Sequence, residues 1–255
     1  MEEKFIFEQL LYGDEEDISL IDIEFVVDRI VELPKIRPHK LEKAVSLAIK
    51  FCQIADFRRV LLGKLIYCPI IIYKLFKLGV FVFEEIKPYM KNVYANLLNY
   101  YFMKEINDIG SFVQKSSDIE LLIEFGFLPS SIEYHLKYDV IDELVNYNVL
   151  NQEAQWSPFE WSYKPEYLDL LSFSGFFGSI KCFKYLLMNG FQIHDEVTSM
   201  VVCGGCFDLY HLCRGSSLFT IDNVSKAAEF FQLPLLEFMF ENGVEIKTNH
   251  IRNEL

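Results

Sequence analysis

Four residues near the carboxyl end of the chain have side chains that bind metal ions or form redox disulfides: Cys203, Cys206, His211 and Cys213. Cysteines with the spacing of Cys203-Gly-Gly-Cys206 occur in redox motifs and in half of a zinc site. A redox motif of this kind opens a helix after a strand, and no alternation of strands and helices surrounds this one. A metal- or thiol-dependent protein centred on these four residues is therefore the alternative interpretation. Packing of the cysteines in a hydrophobic core is the simpler one.

No other pattern in the sequence predicts catalysis. The remaining histidines lack cysteine or carboxylate partners at a recognisable spacing; they are His39, His135, His194 and His250. No glycine-rich phosphate-binding loop and no G-x-S-x-G turn occurs. We therefore predict a protein that is not an enzyme, with no catalytic residues, no metal site and no cofactor.

The elements that position these residues are predicted to be repeated helices. The stretch SGFFGSIKCFKYLLMNG, from Ser174, aligns with VVCGGCFDLYHLCRGSS from Val201 and with AAEFFQLPLLEFMFENG from Ala227. Spacings of three and four residues between its apolar positions define one face of a helix. The apolar columns are Ile180/Phe207/Leu233, Cys182/Leu209/Leu235, Phe183/Tyr210/Leu236, Tyr185/Leu212/Phe238 and Leu186/Cys213/Met239. The polar column on the opposite face is Lys184/His211/Glu237.

Each copy is predicted to form two antiparallel helices joined by a tight turn at Gly178, Gly205 or Phe231. Small or slender residues just before the turn let a preceding helix approach closely. Glycine is expected where a turn or a helix end needs a left-handed backbone. The glycines predicted to have this role are Gly79, Gly126, Gly178, Gly190, Gly205 and Gly243. Asn148 is predicted to replace glycine in the upstream run DVIDELVNYNV.

The run GSIKCFKYLLMNG resembles the second half of an ankyrin repeat, with a glycine at the turn between helices, paired aliphatic positions and a glycine after a leucine pair. From roughly residue 110 to 250, the chain resembles a divergent ankyrin-like domain of unknown function that is expanded in flagellated protists. The segments that carry this resemblance are WSPFEWSYKPEYLDLLSFSGFFGSIKCFKYLLMNG, VVCGGCFDLYHLC and AAEFFQLPLLEFMFENGVEI. The T-P-L-H signature is missing, and Ser179, Cys206 and Gln232 stand where histidine usually follows the turn glycine. The resemblance implies a protein-interaction module without catalytic residues.

These observations together predict an all-α fold, an ankyrin-like solenoid of helical pairs with an atypical helical amino-terminal region. The repeats are expected over 111–255, with the clearest units at 168–194, 195–221 and 222–247. Residues 1–110 are expected to pack onto the repeats. Candidate helices there lie near Ile18–Glu32, Leu41–Phe51 and Tyr89–Met103. The apolar stretch Leu61–Phe83 contains three lysines and a proline, so we predict a buried helix and not a membrane span.

Composition limits the classes of partner. A net charge of −13 opposes binding to nucleic acid and to anionic membranes, and it favours a protein with a basic surface. The acidic amino terminus does not have the features of a secretory signal, and the six scattered cysteines do not resemble a disulfide framework. We therefore predict an intracellular, cytoplasmic protein, with a nuclear location also allowed.

Two sets of residues are candidates for binding a protein partner. The segment QWSPFEWSYKPEY contains Trp156 and Trp161, which suit an interface, although burial of the connection against neighbouring helices is the favoured interpretation. The second set consists of polar residues on the first helix of each predicted pair or on the connections between helices: Asp195, Glu196, Arg214 and Asp222. A further hypothesis is self-association through the last helix, with Phe238 and Phe240 as contacts.

Overall fold

The computed structural model describes residues 22–36, 41–64, 67–91, 101–102, 117–149, 152–160, 168–214, 221–230 and 232–242. Within these ranges the chain is helical and contains no β-strand, apart from an isolated antiparallel bridge between Glu153 and Asp169. The predicted all-α class is confirmed. None of the helices in the same ranges has the length and apolar character needed to cross a membrane.

The chain divides into two compact units. One contains Met1–Gly126 and Pro158–Tyr163, and the other contains Phe127–Ser157 and Lys164–Leu255. The predicted boundary between residues 110 and 111 lies outside the described residues.

The helices described in the first unit are α1 (Ile23–Ile36), α2 (Leu41–Phe51), α3 (Ala55–Gly63), α4 (Pro69–Lys77), α5 (Phe83–Ile86) and α6 (Ser117–Phe125). The predicted helix Leu41–Phe51 is confirmed, and α1 confirms the described part of the helix predicted near Ile18–Glu32. Most of the predicted helix Tyr89–Met103 lies outside the described residues. The prediction of one buried helix over Leu61–Phe83 was wrong. Helix α3 ends at Gly63 and α4 starts at Pro69, because proline fits the first turn of a helix and disfavours its interior.

The core of the first unit combines aliphatic and aromatic side chains from α1 to α6. Ile70, Ile71 and Ile72 are all buried, so α4 is covered on more than one side. Phe159 belongs to the same core, and its ring lies 5.9 Å from that of Tyr101 between centroids. A segment distant in sequence therefore completes this core.

The helices described in the second unit are α7 (Ile132–Lys137), α8 (Ile141–Leu144), α9 (Leu170–Phe177), α10 (Ile180–Met188), α11 (Asp195–Gly204), α12 (Phe207–Arg214), α13 (Ile221–Glu229) and α14 (Leu233–Glu241). They form consecutive pairs: α7 with α8, α9 with α10, α11 with α12 and α13 with α14. The first helices α7, α9, α11 and α13 also pack on one another in this order.

The apolar columns of the alignment differ in how deeply they are buried. The columns that begin with Cys182, Phe183 and Leu186 are buried in nearly every pair. The columns that begin with Ile180 and Tyr185 are half-buried, and they include the exposed Phe207 and Leu212. Five columns cover more of the helix circumference than the side that faces the core. The two half-buried columns therefore lie at the borders of that side.

Left-handed backbone occurs at most of the predicted glycines that the structure describes. Gly79, Gly126, Gly178, Gly190 and Gly205 all have positive φ, which confirms their predicted role, whereas Gly243 lies outside the described residues. The prediction for Asn148 was wrong. Helix α8 ends at Leu144, so no helix reaches Asn148 for it to terminate. Among the described non-glycine residues, positive φ occurs instead at Asp139.

Candidate functional site

The residue after the turn in two of the pairs binds back to the preceding pair. The Ser179 hydroxyl donates a hydrogen bond to the Leu136 carbonyl oxygen at the end of α7. The Gln232 side-chain amide donates to the Cys203 carbonyl oxygen at 2.7 Å, at the end of α11. Neither side chain caps its own helix. These two side chains therefore connect neighbouring pairs.

Small residues allow the first helices to pack closely. A Cβ atom added to Gly175 of α9 would lie 2.9 Å from a methyl carbon of Val201 in α11. One added to Gly204 would lie 2.5 Å from the Phe176 carbonyl oxygen. These contacts join the carboxyl halves of α9 and α11, so the two helices run in the same direction. A close approach before the turn therefore occurs at Gly175, but it is made by α11, which follows in the chain, and not by a preceding helix.

The contact between Asn223 and Ser199 extends this arrangement to α13. The Asn223 side-chain amide, in the first turn of α13, donates to the Ser199 hydroxyl in the middle of α11 at 3.3 Å. The amino termini of successive first helices consequently lie along one edge of the second unit.

Acidic residues are concentrated along this edge, which we call the acidic edge and define as Asp169, Asp195, Glu196 and Asp222. Asp169 accepts a hydrogen bond from the Ser172 N–H at 2.6 Å, and its other oxygen lies 2.6 Å from Nε2 of His194. Asp195 and Asp222 are exposed, and Glu196 is half-buried. Carboxylates in the first turn of a helix are stabilised by its macrodipole, so the sequence folds them here at little cost.

Arg214 is the last residue of α12, and it is exposed. Its guanidinium lies 5.9 Å from the centroid of the Phe238 ring, and one nitrogen donates to Asn242 at 3.4 Å. Of the four predicted polar residues, Asp195, Glu196 and Asp222 lie in the first turns of α11 and α13, whereas Arg214 contacts α14. Sequence reasoning did not include Asp169 or His194, although Asp169 precedes a helix in the way an N-cap does.

The side chains of the Cys203 group have different surroundings. Cys203 and Cys213 are fully buried, and burial raises the pKa of the Cys203 thiol to about 12 and of Cys213 to about 11. Cys206 is half-buried in the turn, and His211 is exposed with its ring 5.3 Å from that of Phe238 between centroids. No group of three or more His, Cys, Asp or Glu residues in the described parts of the chain is placed to hold a metal ion. Protonated buried thiols also do not suit redox exchange, which needs a thiolate.

Trp156 packs among phenylalanines of the second unit. The centroid of its ring lies 5.2 Å from that of Phe173, 6.2 Å from Phe177 and 6.3 Å from Phe127. Its indole Nε1 is buried without a hydrogen-bond partner among the described residues. These contacts are those expected if the connection folds back on its own helices. Trp161, the other predicted contact residue of this segment, lies outside the described residues.

The backbone of the same connection is held by two further contacts. The Ala154 N–H donates to the Leu168 carbonyl oxygen at 3.0 Å, and the Gln155 N–H donates to a carboxylate oxygen of the buried Glu133 at 2.8 Å. The chain before α9 is thereby anchored to α7.

Comparison with known proteins found no family model, no curated protein and no solved structure that matches this chain.

Proposed function

We propose that the second unit is a protein-interaction scaffold built from stacked, divergent ankyrin-like helical pairs. The observation that carries the proposal is the parallel packing of α9, α11 and α13, which places their amino termini along one edge. Repeat stacks expose continuous surfaces of this kind, and those surfaces bind other proteins. The module needs no cofactor.

The partner surface that fits the acidic edge is basic. Asp195 and Asp222 are exposed in the first turns of neighbouring first helices, and the whole chain has a net charge of −13. Opposite charge on the partner would steer the encounter and raise the association rate. Nucleic acid and anionic membranes would be repelled by the same field. The six unbridged thiols support a reducing, intracellular location.

The acidic edge can be tested with a charge reversal and a matched control. Cross-linking in the native cell followed by affinity purification and mass spectrometry identifies the partner, whose association rate is then measured with purified proteins. Asp195→Lys combined with Asp222→Lys is expected to lower that rate about tenfold or more at low salt. The control is Asp142→Lys with Glu143→Lys on α8, also exposed and in a first helical turn.

The control makes the same change in net charge and bears a similar loss of macrodipole stabilisation. An equal loss in both variants would show a general charge effect. An association rate unaffected by salt and by the Asp195 and Asp222 changes would contradict the proposal.

A further inference from the structure

The ring of Phe238 in α14 packs against one face of the preceding helix α12, which we call the α12 contact face and define as Phe207, Tyr210, His211 and Arg214. The ring centroids of Phe207 and Tyr210 lie 5.8 and 5.9 Å from that of Phe238, both in edge-to-face geometry. The Arg214 guanidinium lies over the Phe238 ring. One aromatic side chain and a neighbouring cation thus connect consecutive second helices.

The alignment of the pairs places an equivalent surface on α14. The α14 contact face consists of the residues aligned with the α12 contact face, which are Leu233, Leu236, Glu237 and Phe240. Leu233 and Leu236 are half-buried, Glu237 is exposed, and Phe240 is 42% exposed. The α12 contact face, against which Phe238 packs, thus corresponds to an α14 contact face that is largely apolar and accessible to solvent.

Charge distinguishes the two faces. The α12 contact face includes Arg214 and His211, whereas the aligned positions on α14 are Phe240 and the anionic Glu237. Glu241 follows Glu237 one turn later on α14, and both are exposed. Two carboxylates beside an exposed aromatic ring attract a cationic group and repel an acidic one.

We propose that the α14 contact face docks a helix of another protein that inserts one aromatic or large aliphatic side chain flanked by lysine or arginine. The proposal rests on the proposed function, because it specifies the chemistry of a partner for the helical stack. Helix docking through a few apolar anchors, with charged residues at the rim, is a common mode of peptide recognition.

A defined helical peptide tests this chemistry directly. The probe is a fluorescent alanine-based peptide with one phenylalanine flanked by lysines at four-residue spacing. It is compared with a peptide containing glutamate in place of lysine and with one containing alanine in place of phenylalanine. We expect the first peptide to bind the full chain in anisotropy titrations, and each replacement to weaken binding about tenfold or more. Equal binding with and without phenylalanine, or no binding, would overturn the proposal.

Charge reversal on the protein locates the binding. Glu237→Lys combined with Glu241→Lys is expected to abolish binding of the lysine peptide and to create binding of the glutamate peptide. Glu120→Lys with Glu124→Lys is the matched control, because these residues are exposed on α6 with the same spacing. Melting curves from circular dichroism establish that both variants fold. The same loss of binding in both variants would contradict the proposed location.

Two further outcomes distinguish docking of another protein on the α14 contact face from self-association and from the proposed function. If the chain alone sediments as a dimer and Glu237→Lys/Glu241→Lys dissociates that dimer, the α14 contact face binds a second copy of the chain. That result would overturn the proposal. A natural partner that needs Asp195 and Asp222 but tolerates Glu237→Lys/Glu241→Lys would leave the proposed function standing and reject this inference.

Discussion

Asp139 caps a helix of the pair that follows its own, because its carboxylate accepts a hydrogen bond from the backbone N–H of Cys182 at 2.9 Å. Its other oxygen accepts from the Lys181 N–H at 3.2 Å. Asp139 also adopts the left-handed backbone that closes the turn after α7, with a φ of 56°. A carboxylate at this place satisfies two N–H groups at the start of α10 and interacts favourably with its macrodipole. One side chain therefore links two pairs.

Replacements of Asp139 separate its two roles. Asp139→Ala is expected to lower the free energy of unfolding by about 2 kcal/mol, because it loses the cap and strains the left-handed backbone. Asp139→Gly should lose about 1 kcal/mol, since glycine removes only the cap, and Asp139→Asn less than about 1 kcal/mol. Urea titration measures all three, with the exposed Asp142→Ala as control. Equal stability of the Ala and Asn variants would contradict the role as a cap.

Two glycines at helix ends should respond oppositely to alanine. Gly204→Ala is expected to destabilise the protein by about 1–3 kcal/mol, because the added Cβ would overlap the Phe176 carbonyl oxygen of the neighbouring helix. Gly63 ends α3, and outside its own helix and its chain neighbours no atom of the described residues lies within 4 Å of the equivalent Cβ position. Gly63→Ala should therefore stabilise by about 0.4–1 kcal/mol through the lower entropy of the unfolded chain. A stable Gly204→Ala variant in thermal and urea unfolding would disprove close packing of α9 on α11.

The cysteines should differ in reactivity towards alkylating agents. Burial raises the pKa of Cys182 and Cys203 to about 12 and of Cys52 and Cys213 to about 11, so few of these thiols are deprotonated at neutral pH. Iodoacetamide applied to the folded protein at pH 8 should modify the half-buried Cys206 first, as detected by peptide mass spectrometry. In urea the difference between the cysteines should disappear. Rapid native labelling of Cys203, or a Cys203–Cys206 disulfide, would favour the thiol-dependent alternative.

His135 should make stability depend on pH. Its side chain is buried, its Nδ1 lacks a hydrogen-bond partner among the described residues, and burial lowers its pKa from 6.5 despite the opposing charge of Glu143. The unfolded chain therefore binds a proton at His135 more readily than the folded chain. The neutral His135 side chain therefore makes its full contribution to the free energy of unfolding above pH 6.5. That contribution is lost as the pH falls through the lowered pKa of the folded protein.

Melting temperatures between pH 8 and pH 5 test this effect. His135→Phe should lose less stability over that range than the wild type, because it removes the group that takes up the proton. Acidic side chains give a common background in both proteins. Equal pH profiles would show that His135 does not contribute.

The helical pairs could be predicted from sequence because the features that identify them lie close together along the chain. Apolar spacing and the turn glycines Gly178 and Gly205 identify α9 to α12 without knowledge of distant contacts. The capping role of Asp139 could not be predicted in this way, since its partners at Lys181 and Cys182 are reached only when two pairs pack together. Its identity offered one signal, because aspartate tolerates the left-handed region better than most residues.

The candidate site was predicted only in part. Asp195, Glu196 and Asp222 could be selected as polar positions at first helices, and their alignment follows from helix packing that the sequence does not specify. The contact between His194 and Asp169 was missed because it joins two helix starts through space. The α12 contact face was likewise not apparent, since His211 and Arg214 look like solvent-exposed residues in a linear pattern.

The placement of Phe159 in the core of the first unit bears on how the chain is made and how it can be divided. A polypeptide released at Gly126 would lack that ring, and Tyr101 would lose an aromatic neighbour. During synthesis the amino-terminal unit must likewise wait for a later stretch to leave the ribosome before its interior is complete. Nascent chains arrested before and after residue 159 has left the ribosome should consequently differ in their resistance to protease.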